Sequence, residues 1–393
     1  MGEKFAKLKE ENKILVMLAF FSVSIGLWTN FKQLWLQDNS LDVARISQIL
    51  SISGLFCVIA LLIFSRKISL KNIKKVITVA IFLKAVNLII LVILNHTGYK
   101  MVIETLIILD SILENLIIIS IYPLIVTIKK ENKLYSKRKL VEYLFRDVGI
   151  LVGGVLIGKN IAGLTIHYNI CLLISILFLV LAYITILNIK TRIVEKKPTN
   201  IKQSLKYMVK DKITRNYFGF LLLAEMAMNT ALGLKMLMLT NLFGLSDGNA
   251  TNYLLIVGLI ADFIGMIALK YLTPKNDYLT LTIKFGIRFL WYAIALLSNN
   301  MTVCLIAMSW SILISTAYEN VTDAPYVNRI PNEYQIVFTN YRYIIKTIGV
   351  SLGLYFAGIM YPFGIPYMLG LSAFFMVFQI IGCYYLVYLR NKE

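Results

Sequence analysis

The sequence predicts an all-α polytopic membrane protein whose twelve transmembrane helices form two pseudo-symmetric six-helix bundles. Apolar and aromatic residues make up 58% of the chain and charged residues 16%, whereas a soluble domain carries about 25% charged residues. The apolar runs last about 20 residues, which is the length that a helix needs to cross a bilayer. The second half of the chain also repeats the apolar and charged pattern of the first half.

Uninterrupted apolar runs mark the individual spans, and charged or small polar residues separate them. Runs of this length exclude a membrane barrel, whose segments alternate over about ten residues. The runs predict spans one to twelve at residues 14–36, 44–65, 73–94, 103–127, 140–163, 168–189, 217–240, 252–272, 278–297, 301–322, 338–359 and 366–389.

The largest interruption lies between spans six and seven and divides the chain into domains. A basic cytoplasmic linker, 190–216, separates an amino-terminal six-helix bundle, 1–189, from a carboxy-terminal one, 217–393. Within the linker, residues 200–211 predict a short amphipathic helix on the inner membrane surface. Because both halves begin on the same side of the membrane, we expect parallel repeats related by an axis along the membrane normal.

The net charge of +19 is divided unevenly between the two sides of the membrane. Basic residues crowd the connections on the side of the termini, whereas the opposite side carries Arg45, Lys100 and Lys159. The positive-inside rule therefore predicts a multi-pass protein of the cytoplasmic membrane with both termini in the cytoplasm. The excess positive charge would contact anionic lipid, and this placement argues against a nucleic-acid partner.

Sequence motifs of enzymes, metal sites and cofactors do not occur. The four cysteines stand far apart, and the two histidines, His96 and His167, fall at predicted outer ends. There is no phosphate-binding loop and no nucleophile elbow. We therefore expect no enzymatic activity, no catalytic residue, no cofactor, no metal site and no intrinsic use of ATP.

Ionisable residues recur at matching places in the two halves. A charge at the centre of a bilayer costs roughly 2.5–3.5 kcal/mol on insertion scales, so its repetition indicates a role. The matching segments are Phe31–Leu36 with Leu234–Leu239, Lys84 with Arg288, Glu114–Asn115 with Glu319–Asn320, and Tyr143–Gly153 with Tyr343–Gly353.

Two parallel sets of six spans, a long basic central loop and repeated polar residues in mid-membrane resemble the major facilitator superfamily over the whole chain. Relatives often carry a Gly-Asp-Arg-rich signature between spans two and three. Here Arg66 and Lys67 remain, without the aspartate and the glycines. The resemblance implies secondary transport by alternating access, with spans one, four, seven and ten lining a central cavity.

Span four carries the most informative polar face. Asp110 and Glu114 are one helical turn apart, with Asn115 beside them. In span ten Glu319 and Asn320 repeat the Glu-Asn pair. One interpretation is that Glu114, Glu319 and Asp110 couple transport to protons in an aqueous pathway. The other is a structural ion pair, for example of Glu114 with Arg146 or with Lys84. For Lys84 itself a static pair with an acid on a neighbouring span is expected.

Lys32 and Lys235 occupy matching positions in spans one and seven. Two ammonium groups on opposing halves would form a positive centre for an anion, similar to the paired basic residues of the superfamily's organophosphate exchangers. Asn30, Asn115 and Asn320 are the further candidate substrate-binding residues. The alternative is that both lysines extend to the outer membrane interface, beside an aromatic belt formed by Trp28 and Trp35.

Arg146 and Lys346 each come three residues before a Gly-xxx-Gly pair, so charge and glycines share one helix face. In the superfamily, spans five and eleven lie where the halves meet. Asp262 is therefore a candidate partner for Arg146, with Asp147 pointing elsewhere on the helix. This set is either a bridge that breaks during gating or a static tie.

These observations predict a secondary active transporter, ion-coupled, for a small organic anion or zwitterion. Its expected partners are the substrate, the lipid bilayer and protons. Proton-coupled efflux of amphiphilic drugs is an alternative, because Met- and Phe-rich spans offer adaptable apolar walls. A transport-deficient membrane sensor or receptor is an alternative of another class, since the loop between spans two and three lacks its aspartate.

Overall fold

Helices account for nearly all of the described elements. In this computed structural model, the structure describes residues 10–29, 31–67, 72–128, 132–157, 160–161, 164–165, 168–190, 201–271, 290, 293–294, 300, 302–310, 326, 329–331 and 334–392. The predicted span nine and most of span ten lie outside these residues.

Among its described residues, the first half contains seven helices and one short strand pair. Span one consists of two helices, α1 (Glu10–Thr29) and α2 (Lys32–Asp38). Spans two to six are α3 (Val43–Lys67), α4 (Ile73–Ile93), α5 (Lys100–Ile128), α6 (Asn132–Leu156) and α7 (Tyr168–Leu187). Between α6 and α7, β1 (Asn160–Ile161) pairs antiparallel with β2 (Leu164–Thr165).

The second half begins with the linker helix and repeats the long spans. The linker helix is α8 (Ile201–Lys210), and span seven consists of α9 (Lys212–Leu232), α10 (Lys235–Leu237) and a π-helical turn, Met238–Leu242. Span eight is α11 (Asp247–Tyr271), and residues 302–310 of span ten are helical. Span eleven is α12 (Gln335–Met360), followed by a 3₁₀ turn, Tyr361–Phe363, and span twelve is α13 (Ile365–Asn391).

Within the described part of the chain, seven helical stretches are long and apolar enough to cross a membrane. They coincide with predicted spans one, two, three, six, seven, eleven and twelve. Their exposed surfaces are largely apolar, as in Phe56, Phe82 and Phe378, which suits contact with lipid tails. An all-helical multi-pass membrane protein is thereby confirmed, and the total of twelve spans stays a prediction.

Spans one and seven are both interrupted directly before their matching lysines. Helix α1 ends at Thr29 and α2 begins at Lys32, while α9 ends at Leu232 and α10 begins at Lys235. The interruption therefore falls at the same point of the repeat. Irregular backbone within a membrane is tolerated where protein covers it, and Phe31 and Leu234, which directly precede the two lysines, are fully buried.

Glycines bring span five onto span one, and span eleven onto span seven. The Cα atoms of Gly26 and Gly149 face each other so closely that a methyl group on either would lie 3.1 Å from the other's Cα. In the second half, a methyl group at Gly353 would lie 2.8 Å from the carbonyl oxygen of Met226. Small residues allow such close approach, and the expected role of the Gly-xxx-Gly pairs in helix packing is confirmed.

The chain folds into two compact units that do not follow the sequence halves throughout. Unit one contains residues 1–42, 59–197 and 245–255, and unit two contains residues 43–58, 198–244 and 256–393. The beginning of span two thus packs within unit two, and the beginning of span eight packs within unit one. The domain boundaries at 189 and 217 describe the sequence repeat and stay a prediction.

Hydrogen bonds to backbone and side chains hold the two exchanged segments. In unit two, the hydroxyl of Ser47 donates to the carbonyl of Leu354 at 2.6 Å, and that of Ser51 donates to the carbonyl of Ser351 at 2.8 Å. In unit one, the hydroxyl of Tyr168 donates to the Asp247 carboxylate. These contacts lie in the predicted outer halves of their spans, except that Asp247 lies in the predicted connection just before span eight.

The predicted amphipathic linker helix is confirmed as α8. Its Met208 side chain is buried against Tyr217 and Phe338 of unit two, and the Tyr207 ring lies 5.2 Å from the Tyr334 ring. The helix therefore has a protein-covered face. After it, the Asp211 carboxylate accepts a hydrogen bond from the backbone N–H of Thr214 at 2.9 Å and caps α9.

Candidate functional site

Four charged side chains from three helices meet inside unit one. Lys32 comes from α2, Lys84 from α4, and Asp110 and Glu114 from α5. We call these four residues the charge cluster. Lys32 is the first residue of α2, directly after the interruption of span one.

Asp110 lies at the centre of the charge cluster. Its Oδ2 accepts from the Lys32 ammonium at 2.7 Å and from the indole N–H of Trp28 at 2.8 Å. Its Oδ1 accepts a short hydrogen bond from the Lys84 ammonium. Two cations and one neutral donor thus satisfy a carboxylate that has no exposed surface. Charge-assisted bonds of this kind are about twice as strong as neutral ones.

Lys84 bridges the two carboxylates of the charge cluster. Besides its bond to Asp110, its Nζ lies 2.9 Å from Oε2 of Glu114. Because Asp110 and Glu114 are four residues apart, both reach the same face of α5. The Lys84 side chain is 1% exposed and that of Glu114 is 15% exposed. Glu114 is therefore the most accessible member of the cluster.

Burial makes the balance of charges in this cluster important. An unpaired ion in such surroundings costs several kcal/mol, and excellent geometry is needed to offset that cost. The cluster holds two ammonium groups and two carboxylates, and each of these groups has a counter-ion within hydrogen-bonding distance. With all four groups ionised its net charge is zero.

Trp28 and Trp35 lie inside unit one and not in a lipid-facing belt. They are 1% and 0% exposed, and their rings meet edge to face with centroids 5.7 Å apart. Lys32 Nζ lies 5.5 Å from the Trp28 ring centroid. The alternative in which Lys32 extends to the interface beside these residues is therefore wrong, since the ammonium group turns inward to Asp110.

Unit two contains a different ion pair at mid-span. Lys346 Nζ of α12 lies 3.2 Å from Oε1 of Glu225 of α9. Nearby on α12, the Arg342 guanidinium donates to the hydroxyl of Tyr217 at 3.1 Å. Glu225 has no acidic counterpart in the first half, where Ser22 occupies the equivalent place. Comparison of the two repeats therefore did not identify Glu225 as a candidate site residue.

Neither a family model nor a curated protein matches this sequence. Solved structures do match its fold. The nucleoside transporter NupG is 13% identical, with 98% of this chain and 100% of that chain covered and a TM-score of 0.69. The D-xylose–proton symporter is 11% identical, with 96% of both chains covered and a TM-score of 0.69. The major facilitator superfamily transporter FucP in its outward conformation is 15% identical, with 97% and 99% covered and a TM-score of 0.64.

This chain has the major facilitator fold. The resemblance deduced from the sequence is thereby confirmed at the level of the fold. Each of the three solved structures is described as a transporter or a symporter. The subfamily within this fold stays open.

Within the major facilitator fold, spans three and four are joined by the expected pairing of Lys84 with a neighbouring acid. Lys84 contacts both Asp110 and Glu114, so that prediction is confirmed. Two partners were considered for Glu114, and in the structure it forms an ion pair with Lys84. Arg146 instead stacks over the Tyr143 ring, with its guanidinium carbon 5.1 Å from the centroid.

The structure also gives the positions of several other predicted site residues. Lys235 is half-buried at the start of α10 in unit two, and Asp147 is buried in unit one. The Asn115 amide donates to the carbonyl of Ser111 at 2.7 Å. Asn30, Glu319, Asn320 and the side chain of Asp262 lie outside the described residues.

Among the described residues, no group of three or more His, Cys, Asp or Glu side chains could hold a metal ion. Cys57, Cys171, Cys304 and Cys383 are buried free thiols, each in a helix. The charge cluster itself consists of two ammonium groups and two carboxylates, which are groups that can exchange protons and ion-pair partners.

Proposed function

We propose that this chain is a secondary active transporter that works by alternating access and moves a small organic anion or zwitterion together with protons. The charge cluster carries the proposal. Titratable carboxylates paired with lysines inside membrane-spanning helices are a default sign of ion or proton pathways. The fold supports the same conclusion, because it is shared over nearly the whole chain with transporters.

Protons are the proposed coupling ion. Two of the proteins with this fold are described as proton symporters, for D-xylose and for fucose. In this chain Glu114, Asp110 and Glu319 are the candidates for the coupling residue. A carboxyl group that exchanges a proton in mid-membrane changes the local charge by one unit, and that change can bias an equilibrium between two conformations.

An anion or zwitterion is the proposed substrate class. Lys32 and Lys235 are the proposed primary contacts, with Asn30, Asn115 and Asn320 as polar neighbours. Lysine attracts an anionic group such as a phosphate as a compact point charge. The interruptions before Lys32 and Lys235 support this role, since interrupted spans form substrate sites in other transporter folds.

Gating is proposed to involve the charged residues of spans five, eight and eleven. These are Arg146, Asp147, Asp262 and Lys346, to which the ion-pair partner Glu225 is added. An ion pair between packed helices resists their separation. A change of partner for Lys346 would therefore accompany a movement of span eleven against span seven.

The proposed location is the cytoplasmic membrane, with both termini in the cytoplasm and the basic linker against anionic lipid. The uneven distribution of Lys and Arg supports this orientation. A cysteine placed near either terminus and labelled from one side of intact vesicles tests it.

Transport in reconstituted vesicles tests the proposed function. Purified protein in proteoliposomes is supplied with labelled organic anions, zwitterions and cationic dyes, with and without a pH gradient. Anion uptake that is lost in Lys32→Ala and in Lys235→Ala supports the proposal. Dye extrusion that is lost in Glu319→Gln favours drug efflux instead. Binding without flux under every gradient favours a sensor.

A further inference from the structure

Protonation of Asp110 and protonation of Glu114 would have different consequences for the ion pairs of the two lysines. Asp110 holds two ammonium groups and the Trp28 indole. Glu114 holds Lys84 alone among the charged groups that the described residues bring to it. Protonation of Asp110 would deprive Lys32 of its carboxylate partner. Protonation of Glu114 would leave every ammonium group with one carboxylate, because Lys84 keeps Asp110.

Burial also separates the two carboxylates. Asp110 has no exposed side-chain surface, whereas Glu114 is 15% exposed. Glu114 is therefore the less enclosed of the two carboxylates for an incoming proton. The surrounding charged groups in the described structure are Lys84 on α4, Lys32 on α2 and Asp110 on the same helix, so Glu114 is held by a single cation.

From this geometry we propose that Glu114 binds the transported proton, that Asp110 remains a fixed counter-ion, and that the substrate is a monoanion bound by Lys32. The inference deepens the proposed function and rests on it. When Glu114 takes one proton, the cluster changes from zero net charge to one positive charge. One negative charge on the substrate restores neutrality, so one proton moves with one monoanion.

The hydrogen-bond donors around Asp110 link the protonation of Glu114 to the release of Lys32. Once Glu114 is neutral, Lys84 is left with Asp110 as its carboxylate partner. The Trp28 N–H shares Oδ2 of Asp110 with Lys32, so this oxygen keeps a donor when Lys32 turns to the substrate. The Trp28 ring, 5.5 Å from Lys32 Nζ, also favours a nearby cation. Trp28 is thus a positioning residue.

Electroneutral coupling gives a sharp transport test. Proteoliposomes are loaded with buffer and supplied with labelled L-lactate and gluconate as monoanions, succinate as a dianion, L-proline as a zwitterion and uridine as a neutral solute. Either an inward proton gradient or a potassium diffusion potential set by valinomycin is imposed. We expect a monoanion to accumulate about tenfold for each unit of pH gradient, with no accumulation driven by the potential alone.

Two cluster variants and one matched control locate the proton site. Glu114→Gln should abolish accumulation by the pH gradient and keep exchange of labelled for unlabelled monoanion, because its cluster is permanently positive. Lys84→Met combined with Glu114→Gln restores neutrality and should lose exchange as well. Glu104→Gln removes a carboxylate from the same helix about 15 Å away, and it should transport like the wild type.

The outcomes separate the inference from the proposed function. Uptake of L-proline, uridine or succinate in place of a monoanion overturns the inference and leaves secondary transport in place. The same holds if potential alone drives accumulation, or if Glu114→Gln retains accumulation by the pH gradient. If no probe moves under any gradient, both the inference and the proposed function are wrong.

Discussion

Lys84 of span three and Glu114 of span four face each other, with Nζ and Oε2 2.9 Å apart, while the same ammonium group also contacts Asp110. One lysine therefore serves two carboxylates. A change at either carboxylate alters the field at the other, because charges this close interact strongly in a low-dielectric interior. The relationship makes the charge cluster a unit whose members can be tested together.

Asp110→Asn should destabilise the protein more than any other single change in the cluster. It removes the shared acceptor of two buried ammonium groups, and breaking a buried ion pair costs about 3–5 kcal/mol. The thermal unfolding midpoint in detergent, followed by intrinsic fluorescence, measures the loss. Glu104→Gln on the same helix is the control. Equal midpoints for the two variants would contradict the central position of Asp110.

Trp28→Phe should weaken the cluster while keeping most of the packing. The ring face remains, but the N–H that donates to Asp110 at 2.8 Å is lost, and a hydrogen bond to a charged group contributes about 1.5–3 kcal/mol. Trp35→Phe is the matched control, since its N–H donates to a neutral amide, Asn169, at 3.3 Å. A larger midpoint shift for Trp35→Phe would argue against this assignment.

The pairing of Lys84 with Glu114 predicts coupling in a double-mutant cycle. Lys84→Met and Glu114→Gln should together cost less than the sum of their separate losses, by about 0.5–3 kcal/mol. The reason is that the first change already removes the partner of the second. Denaturation in mixed detergent micelles gives the four free energies. Strict additivity would show that the two groups do not interact.

Gly353→Ala should loosen the contact between spans seven and eleven. The added methyl group would lie 2.8 Å from the carbonyl oxygen of Met226 and 2.7 Å from Cβ of Asn229. Overpacking of this kind costs about 1–3 kcal/mol. Gly219→Ala meets no atom within 4 Å, so it should gain about 1 kcal/mol from helix propensity. Opposite signs of the two midpoint shifts are expected.

A disulfide between Gly54→Cys and Ser351→Cys should form on oxidation and stop transport reversibly. A methyl group at Gly54 would lie 3.2 Å from Cβ of Ser351, which is near the separation that a disulfide requires. Under the proposed alternating access, we expect the predicted outer halves of spans two and eleven to separate during the cycle. The variant is made without the four native cysteines and assayed before and after reduction.

Gly258→Cys with Ser351→Cys serves as the control for this cross-link. A methyl group at Gly258 meets no atom within 4 Å, so no disulfide should form. Undiminished transport by the cross-linked Gly54 variant would mean that this contact persists throughout the cycle.

Hydropathy was sufficient to locate the described spans. Span three was expected at 73–94 and is Ile73–Ile93, and span six was expected at 168–189 and is Tyr168–Leu187. The thickness of the bilayer dictates these lengths, so the information lies in the local sequence. The sequence did not reveal the interruption of span one, because neither Asn30 nor Phe31 is a proline or a glycine, the residues that usually mark a break in a helix.

The choice of ion-pair partner was only partly accessible from the sequence. The pairing of Lys84 with an acid on the next span was expected, because the two helices are consecutive. The partner of Lys346 was not, since Glu225 lies on a span distant in sequence and has no counterpart in the repeat. Helix rotation and tilt decide such pairings, and they depend on packing against neighbours that no single segment encodes.

The exchange of segments between the compact units affects how this chain could be divided. Unit two includes Val43–Val58, and unit one includes Leu245–Leu255. A gene cut at the basic linker would give two polypeptides, each lacking a segment that belongs to its own packed unit. Each product alone would lack the contacts that this segment makes in the intact chain, and co-synthesis of both fragments would be needed to restore them.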